Sequence, residues 1–400
     1  MTTPDVLHSM KVVHTIYLDY QATTPVDPRV AEVMIPHLTD VFGNPHSSDH
    51  CVGWRAAEAL KEATARIARF IGADPDEIIF TSGATESNNL ALLGFGRRAA
   101  GGKRRRILTS PIEHKCVLAV GRVLKEQLGY TVEQLPVDSE GRILIPALEE
   151  AMDDDVLIVS IMAVNNEIGT IQDVPRISDI VRSRGAALHC DAAQAPGAIE
   201  LDSISNSVDF LSLSAHKMYG PKGIGVLFVR REFQPQIEPL IYGGGQQKNL
   251  RSGTVPVALC VGMGSAAEIL CTDQALKERE MLRRRRDRLV ENLLALPWPI
   301  TLNGPQGIRR HPGNANLRFD GFSAHDILAA LQPHLAASTG SACTSGIPEP
   351  SHVLRAIGLS RRQAEASIRF SPGFKTTDAE IDRATTLIRD VLSRLPNDEG

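Results

Sequence analysis

Long apolar runs, a strong net charge and paired cysteines are all missing from this sequence of 400 residues. No apolar run approaches the ~20 residues that cross a membrane. The segment from Met1 to His14 lacks the basic, apolar and small-residue zones of a secretory signal. A net charge of −4 gives no general attraction to nucleic acid or to an anionic membrane. We therefore expect a cytoplasmic protein that makes no membrane contact.

The six cysteines are scattered and include no Cys-x-x-Cys pair, so the sequence predicts no metal site. We expect most of them to be small buried hydrophobes in a reducing compartment. The content of 42% hydrophobic and 22% charged residues is typical of a globular protein, and the length allows more than one domain. We predict a large domain over residues 15–262 and a smaller α+β domain over residues 263–400, which also includes residues 1–14.

Short apolar stretches alternate with helix-like stretches from about residue 60 to residue 230. This alternation predicts an α/β fold whose mostly parallel sheet is covered on both faces. The expected strands are Glu77–Thr81, Arg106–Ser110, Val156–Val164, Ala186–Cys190, Asp209–Leu213 and Gly225–Val229. We also expect one long helical stretch from about Val257 to Leu296, followed by a strand over Asn314–Phe319.

Polar clusters follow the predicted strands, at the edge where parallel sheets bind ligands. Lys217 comes after one of these strands, and Asp191 comes after the strand before it. Pyridoxal 5'-phosphate needs a lysine amine for its Schiff base and a carboxylate that keeps its pyridine nitrogen protonated. Most lysines are simply exposed, and an aspartate at such a turn often caps a helix. The position of the two residues together favours a pyridoxal phosphate site, in which Gln194 would hydrogen-bond the ring hydroxyl.

A phosphate cradle is predicted where the strand at Glu77–Thr81 passes into a helix. Backbone N–H groups at a helix N-terminus attract phosphate, although turns of this composition are common and the signal alone is weak. The candidate phosphate ligands are Ala84, Thr85, Ser214 and His216. After the next strand, His114 would stack on the cofactor and carry protons, although an isolated histidine is more often structural.

Cys343 lies in a run of small, polar and flexible residues, which predicts an exposed loop. A cysteine in such a loop can meet a substrate and then reach another partner, whereas an inert surface thiol is the alternative. Arg369 is a candidate clamp for a substrate carboxylate. We therefore expect the reaction to use both residues.

Nearly the whole chain, from Tyr17 to about Thr377, resembles the cysteine desulfurases of the aminotransferase class V group. The matching blocks are Tyr17–Pro25, Phe42–Pro45, Phe80–Asn89, Val164–Gly169, Ser214–Gly223 and Leu250–Thr254. The block Gly340–Gly346 looks like the long cysteine loop of the housekeeping and nitrogenase-associated branch. The resemblance implies the fold of type I pyridoxal phosphate-dependent transferases and a homodimer with two composite sites.

The resemblance also implies a role for each matching position. The implied catalytic residues are Lys217, which bonds the cofactor, His114, which stacks on its ring, and Cys343, which receives sulfur. The implied cofactor ligands are Asp191 at the ring nitrogen, Gln194 at the ring oxygen, and Ala84, Thr85, Ser214, His216 and a neighbouring subunit's Thr254 at the phosphate, together with Asn166. Asn166 and Arg369 are implied to bind the substrate carboxylate.

Three segments depart from the family pattern. Gln247–Asn249 replaces a more common Glu-Arg-Gly, and Ala163 stands where a histidine is frequent. Pro372–Lys375 replaces Leu-Gly-Arg-Phe shortly after the substrate arginine, so it could shift Arg369. None of the three removes a catalytic group, and together they hint at a specialised pathway.

The implied activity converts L-cysteine to L-alanine and passes sulfur through Cys343 to an acceptor protein, for iron–sulfur cluster assembly, thiolation or DNA phosphorothioation. A selenocysteine lyase, or another class V lyase, would share the same cofactor site. A sulfur-donor subunit of a complex that modifies DNA or tRNA is a further alternative, supported only by the basic runs Lys103–Arg106 and Arg283–Arg286. Because we expect these runs to be solvated faces, the sequence does not favour direct nucleic-acid binding.

Overall fold

The computed structural model describes residues 14–340 and 350–396, and its strands form three sheets. Cys343 lies outside the described residues. The strands are β1 (Ile16–Tyr17), β2 (Ile78–Thr81), β3 (Arg106–Thr109), β4 (Thr131–Gln134), β5 (Val156–Ser160), β6 (Ala187–Asp191), β7 (Phe210–Ser214), β8 (Gly225–Val229), β9 (Ile300–Leu302), β10 (Ala315–Phe319), β11 (Leu335–Ala336) and β12 (Ser367–Phe370).

Helices cover both faces of the largest sheet and one side of the smaller ones. They are α1 (Pro28–Met34), α2 (Pro36–Thr39), α3 (Cys51–Ile71), α4 (Ala84–Asn89), α5 (Phe95–Arg98), α6 (Lys115–Leu128), α7 (Ile145–Ala151), α8 (Val174–Ser183), α9 (Asp202–Ser205), α10 (Val257–Leu270), α11 (Asp273–Leu294), α12 (Ala324–Ala330), α13 (His352–Ala356), α14 (Arg361–Glu365) and α15 (Asp378–Leu392). A π-helical stretch, Leu90–Gly94, joins α4 to α5.

The largest sheet has seven strands in the order β2-β8-β7-β6-β5-β3-β4. β8 is antiparallel to both of its neighbours, and the strands from β7 to β4 are all parallel. Every residue of β5, β6, β7 and β8 is buried, as expected of strands packed between two helical layers. The carboxyl ends of β3, β5, β6 and β7 therefore meet at one edge, where ligands bind in sheets of this kind.

The smaller sheets belong to a second hydrophobic core, which α11 and α15 cover. β10 lies between β9 and β12, antiparallel to both, and β1 pairs with β11. The N-terminal strand thus packs with the C-terminal part of the chain. Within the described residues, separate hydrophobic clusters lie on the two faces of the large sheet, and a third lies around the smaller sheets.

The predicted α/β fold is confirmed, and each expected strand is found within a few residues of its predicted bounds. The predicted strand Val156–Val164 ends earlier, at Ser160. The single long helical stretch is wrong, because Thr272 caps a new helix by accepting a hydrogen bond from the N–H of Ala275. Residue 262 lies inside α10, which packs on α3 in the core of the large sheet; the division between the domains stays a prediction. None of the helices within the described ranges is long and apolar enough to span a membrane.

Candidate active site

Lys217 ends a short 3₁₀ turn, Ala215–Lys217, that directly follows β7. Its Nζ donates hydrogen bonds to the carbonyl oxygens of Gln21, at 2.5 Å, and Ala22, at 2.9 Å. Burial and the nearby positive charge of Arg369 lower the pKa of the amine to about 8, against the opposing charges of Asp19 and Asp191. About a tenth of the amine is therefore uncharged at pH 7, far more than for an ordinary lysine, and this form can act as a nucleophile or base.

Asp191 is buried at the end of β6, the strand next to β7. Its Oδ2 accepts a hydrogen bond of 2.7 Å from Asn88 Nδ2, and its Oδ1 accepts one of 2.9 Å from the N–H of Ala193. A carboxylate held in this way beside a sheet edge has the chemistry needed at a protonated pyridine nitrogen. Gln194, just beyond it, donates to the carbonyl oxygen of Gln21 at 2.9 Å, so it and Lys217 share one acceptor.

The turn between β2 and α4 lies against the end of β7. A side chain added at Gly83 would approach Ser214 Oγ to 3.7 Å, and one added at Gly225 would overlap the backbone of Gly83. The glycines therefore let the start of α4, with Ala84 and Thr85, sit beside the buried Ser214. The N–H groups at the start of α4 and the Ser214 hydroxyl therefore lie close together, as expected for a phosphate cradle.

His114 and His216 both belong to turns at this edge. The Nδ1 atom of His114 caps α6 by accepting the N–H of Cys116, and loss of hydration lowers the pKa of its ring. His216 lies 3.2 Å from the Thr23 hydroxyl, and desolvation, with the charge of Lys217 next in importance, lowers its pKa to about 4. Both rings are therefore neutral near pH 7.

Arg369 lies on β12 and brings the small sheet to the site. Its Nη2 donates to Asp19 Oδ1 at 2.6 Å and to Ser338 Oγ at 3.0 Å, and its Nη1 donates to the carbonyl oxygen of Asn166 at 2.7 Å. Its side chain is buried, and within the described chain its Nε has no hydrogen-bond partner. A buried guanidinium N–H without a hydrogen-bond partner is suited to bind a carboxylate ligand.

The structure brings together most of the predicted site residues: Lys217, Asp191, Gln194, His114, Arg369 and Asn166 at the centre, with Ala84, Thr85, Ser214 and His216 around the cradle. Thr254 instead lines a different cavity, with Leu38 and Phe42. Cys343 falls on residues that the structure does not describe, so its role stays a prediction.

Sequence reasoning missed several residues that hold the site. Asn88 and Asp19 fall within matching blocks, but no role was predicted for either. Glu113 is fully buried and accepts hydrogen bonds from Ser110 Oγ and the N–H of Met162, and burial raises its pKa to about 8. Its position directly before His114 was the available signal.

A family pattern described as "Aminotransferase class-V" matches residues 16–384, and the chain belongs to that family. Among its relatives, the protein "Cysteine desulfurase IscS" of Rickettsia akari is 48% identical over 380 residues, which cover 95% of this chain and 92% of that protein. A solved "NifS-like protein" aligns with a TM-score of 0.88 and 36% identity, covering 95% of this chain and 100% of that one. The structure "SspA in complex with cysteine" aligns with a TM-score of 0.79 and 36% identity, covering 90% and 99%. These comparisons confirm the predicted family and fold.

Proposed function

We propose that this protein is a pyridoxal phosphate-dependent L-cysteine desulfurase that forms L-alanine and a persulfide on Cys343. The observation that carries the proposal is the meeting of a lysine amine of lowered pKa, a buried carboxylate and a buried arginine, Lys217, Asp191 and Arg369, at one sheet edge. The names of the relatives point to the same reaction, and one solved relative was named as a complex with cysteine.

The donor set at this edge fits the cofactor. Asp191 would hold the pyridine nitrogen, Lys217 would bond the aldehyde carbon, and His114 would lie against the ring. Gln194 would bind the ring oxygen once it gives up its present acceptor, the carbonyl of Gln21. The phosphate would lie at the start of α4 beside Ser214 and His216, where hydroxyls and helix N–H groups favour an anion.

When bound, the cofactor would supply an electron sink that makes the substrate's Cα–H bond acidic. Arg369 and Asn166 would bind the substrate carboxylate, and this would place the Cα–H bond near the amine that Lys217 regains when substrate binds. With a pKa of about 8 this amine can take the proton near neutral pH, and the neutral ring of His114 is the second group that can move it.

Cys343 would then attack the substrate sulfur as a thiolate. The new S–S bond forms on Cys343 while the substrate's C–S bond breaks, and the electron pair of that bond stays on carbon, which is protonated to give L-alanine. The terminal sulfur of the persulfide would pass to the thiol of an acceptor protein. No outside oxidant is needed, since carbon gains the two electrons that sulfur loses.

We propose a homodimer in which Thr254 of one subunit completes the phosphate site of the other. Thr254 lines a cavity together with Leu38 and Phe42, which are 64% and 69% exposed, and Ile35 and Trp54 nearby are each 58% exposed. Large apolar residues clustered on a surface are typical of a subunit interface. Sedimentation of wild type and Phe42→Asp would test this, since the dimer predicts that the variant dissociates and retains its cofactor less well.

The alternative of a sulfur-donor subunit in a nucleic-acid-modifying complex rested on two basic runs, and several of their arginines make contacts within the fold. In the first basic run, Arg104 and Arg105 donate to backbone carbonyls, and Arg106 pairs with Glu133 and Asp153. In the second run, Arg285 pairs with Asp378, and the buried Arg286 donates to the carbonyls of His311 and Asn314. These arginines tie elements of the fold together.

The deciding experiment is to incubate the purified holoprotein with L-cysteine and a reductant, and to measure sulfide and alanine for wild type and Cys343→Ala. Equal amounts of both products from wild type only would establish desulfuration through Cys343. Alanine that forms without dependence on Cys343 would contradict the persulfide step and indicate a lyase mechanism. No turnover of cysteine, together with turnover of selenocysteine, would replace the proposal with the selenium-specific alternative.

A further inference from the structure

A chain of contacts links Asp191 to His114 through two residues that the reaction does not use. Asn88, fully buried in α4, donates from Nδ2 to Asp191 Oδ2 at 2.7 Å and to Cys116 Sγ at 3.3 Å. Cys116 Sγ in turn lies 3.0 Å from His114 Nδ1. The side chains of Asn88 and Cys116 thus connect the pyridine-binding carboxylate to the ring that would stack on the cofactor.

The orientation of the Asn88 amide is determined by its neighbours. If its oxygen and nitrogen were exchanged, Oδ1 would face the carboxylate oxygen of Asp191 with no proton between them. In the observed orientation Oδ1 is buried and has no partner among the described residues. Leaving a buried acceptor unpaired costs about 1–3 kcal/mol. The structure accepts this cost at Oδ1 because the orientation lets Nδ2 donate to both Asp191 and Cys116.

The contacts of Cys116 define the protonation of His114. The N–H of Cys116 donates to His114 Nδ1 at 3.2 Å, so Nδ1 is an acceptor and a neutral ring carries its proton on Nε2. Burial raises the pKa of the Cys116 thiol to about 11, and the charge of Asp191 adds to this effect. The thiol therefore keeps its proton near pH 7 and can donate it to the same Nδ1 atom.

Charged and titratable groups face the His114 ring from several elements. Asp191 lies on β6, Lys217 follows β7, His352 lies on α13, and Lys115 is on the same helix. Burial lowers the pKa of His114, the charge of Asp191 opposes this, and the positive groups add to it. The ring is therefore neutral, and its tautomer, rather than its charge, is what remains to be set.

We propose that Asn88 and Cys116 are positioning residues that hold His114 as the neutral tautomer with its proton on Nε2 and connect that ring to Asp191. The expected effect on turnover rests on the proposed function, whereas the protonation of His114 can be tested without it. The bridge keeps Nδ1 occupied, so that Nε2 is the atom through which His114 meets the cofactor and substrate. A side chain that merely filled space at position 116 could be replaced by alanine without changing the Nδ1 signal of His114.

The test uses nitrogen NMR of ¹⁵N-histidine-labelled full-length protein, with and without pyridoxal phosphate, and the His114 signals are assigned by their loss in His114→Gln. Wild type should show Nδ1 as the unprotonated nitrogen. Cys116→Ala should keep this tautomer, because the backbone N–H of residue 116 still donates to Nδ1, but it should shift the Nδ1 signal toward that of a less hydrogen-bonded nitrogen. Cys116→Ser, whose hydroxyl can still donate, should restore the wild-type signal. Cys260→Ala is the matched control, since Cys260 is fully buried in α10 and away from the histidine.

Steady-state kinetics give the second measurement. We expect Cys116→Ala to lower kcat for cysteine about 3- to 10-fold without raising KM, with recovery in Cys116→Ser; such factors correspond to one modest hydrogen bond. An Nδ1 signal in Cys116→Ala that coincides with that of wild type would overturn the proposal. A shifted Nδ1 signal in a protein that desulfurates no substrate would leave the bridge established and the proposed function refuted.

Discussion

The proposed cofactor half and the proposed substrate half of the site are built in different ways. In the cofactor half, Lys217, Asp191 and Ser214 each stand at the end of a buried strand of one sheet, so neighbouring strands alone bring them together. In the substrate half, Arg369 comes from another sheet, and its partners Asp19 and Asn166 lie 350 and 203 residues away in sequence. The sheet positions the proposed cofactor ligands, whereas the ion pair with Asp19 and the hydrogen bond to the carbonyl of Asn166 position the proposed substrate ligand.

The largest loss of turnover should come from substituting Lys217 in the cofactor half. Lys217→Ala should abolish the visible absorbance of bound cofactor and lower turnover by about 10⁴-fold or more, as loss of a group that acts covalently does. Absorbance spectra and alanine release measure the two effects. Lys222→Ala is the matched control, because Lys222 is exposed in the same loop. An unchanged spectrum in Lys217→Ala would remove the lysine from the mechanism.

Breaking the substrate half should leave the cofactor in place. Arg369→Lys keeps the positive charge but cannot reproduce contacts with Asp19, Ser338 and Asn166 at once. We expect KM for cysteine to rise on the order of 10- to 100-fold, the value of one or two hydrogen bonds to a charged group, while the cofactor spectrum stays that of wild type. Arg318→Lys, on the neighbouring β10, is the control. Loss of cofactor from Arg369→Lys would show that the two halves are not separable.

This difference also explains what the sequence could predict. Asp191 and Lys217 are recognisable because each follows a short apolar strand, and the order of such strands predicts one shared edge. Asp19 and Ser338 carry no local pattern that assigns them to Arg369, because their contacts exist only after two distant segments pack together. The edge strand β4 was missed for a related reason: its residues are polar and only partly buried, so it lacks the apolar run that marks the central strands.

Pro372–Lys375, one of the three segments that depart from the family pattern, lies where the cofactor half and the substrate half meet. The ring of Phe374 stacks on that of Tyr219, with centroids 4.9 Å apart, and the Phe374 N–H donates to the Tyr219 hydroxyl at 2.8 Å. Gly373 is required beside it, because an added side chain would overlap the ring of Tyr20. Tyr219 follows Lys217 by two residues, so this contact joins the cofactor turn to the strand of Arg369.

A change at this contact distinguishes stability from substrate binding. Phe374→Ala should lower the free energy of unfolding by about 1–3 kcal/mol, since an aromatic pair and part of a ring's burial are lost. KM should change little, because Asp19 and Ser338 still hold Arg369. Chemical denaturation and steady-state kinetics measure both, with Phe374→Tyr as the control that keeps a ring. A rise in KM as large as that of Arg369→Lys would mean that the stack, and not the ion pair, positions the arginine.

The smallest expected effect is the shift that charged residues of the substrate half cause in the pKa of Lys217. Because the pKa of Lys217 is lowered to about 8, its amine loses its proton well below the usual 10.5, and capture of pyridoxal phosphate by the apoprotein should accelerate as the pH rises through about 8. Arg369 lowers this pKa and Asp19 raises it. The inflection should therefore move to higher pH in Arg369→Gln and to lower pH in Asp19→Asn.

Stopped-flow absorbance across pH 6–10 measures that inflection, with Nα-acetyl-lysine as the reference that corrects for titration of the aldehyde itself. Lys222→Ala should match wild type, because the exposed lysine it removes is not among the groups that shift Lys217. Inflections that coincide in wild type, Arg369→Gln and Asp19→Asn would mean that neither Arg369 nor Asp19 contributes to the pKa of Lys217. The charges of the substrate half would then have no effect on the pKa of Lys217, although the two halves lie in one cleft. Neutralising Arg369 with a substrate carboxylate could not alter the basicity of Lys217.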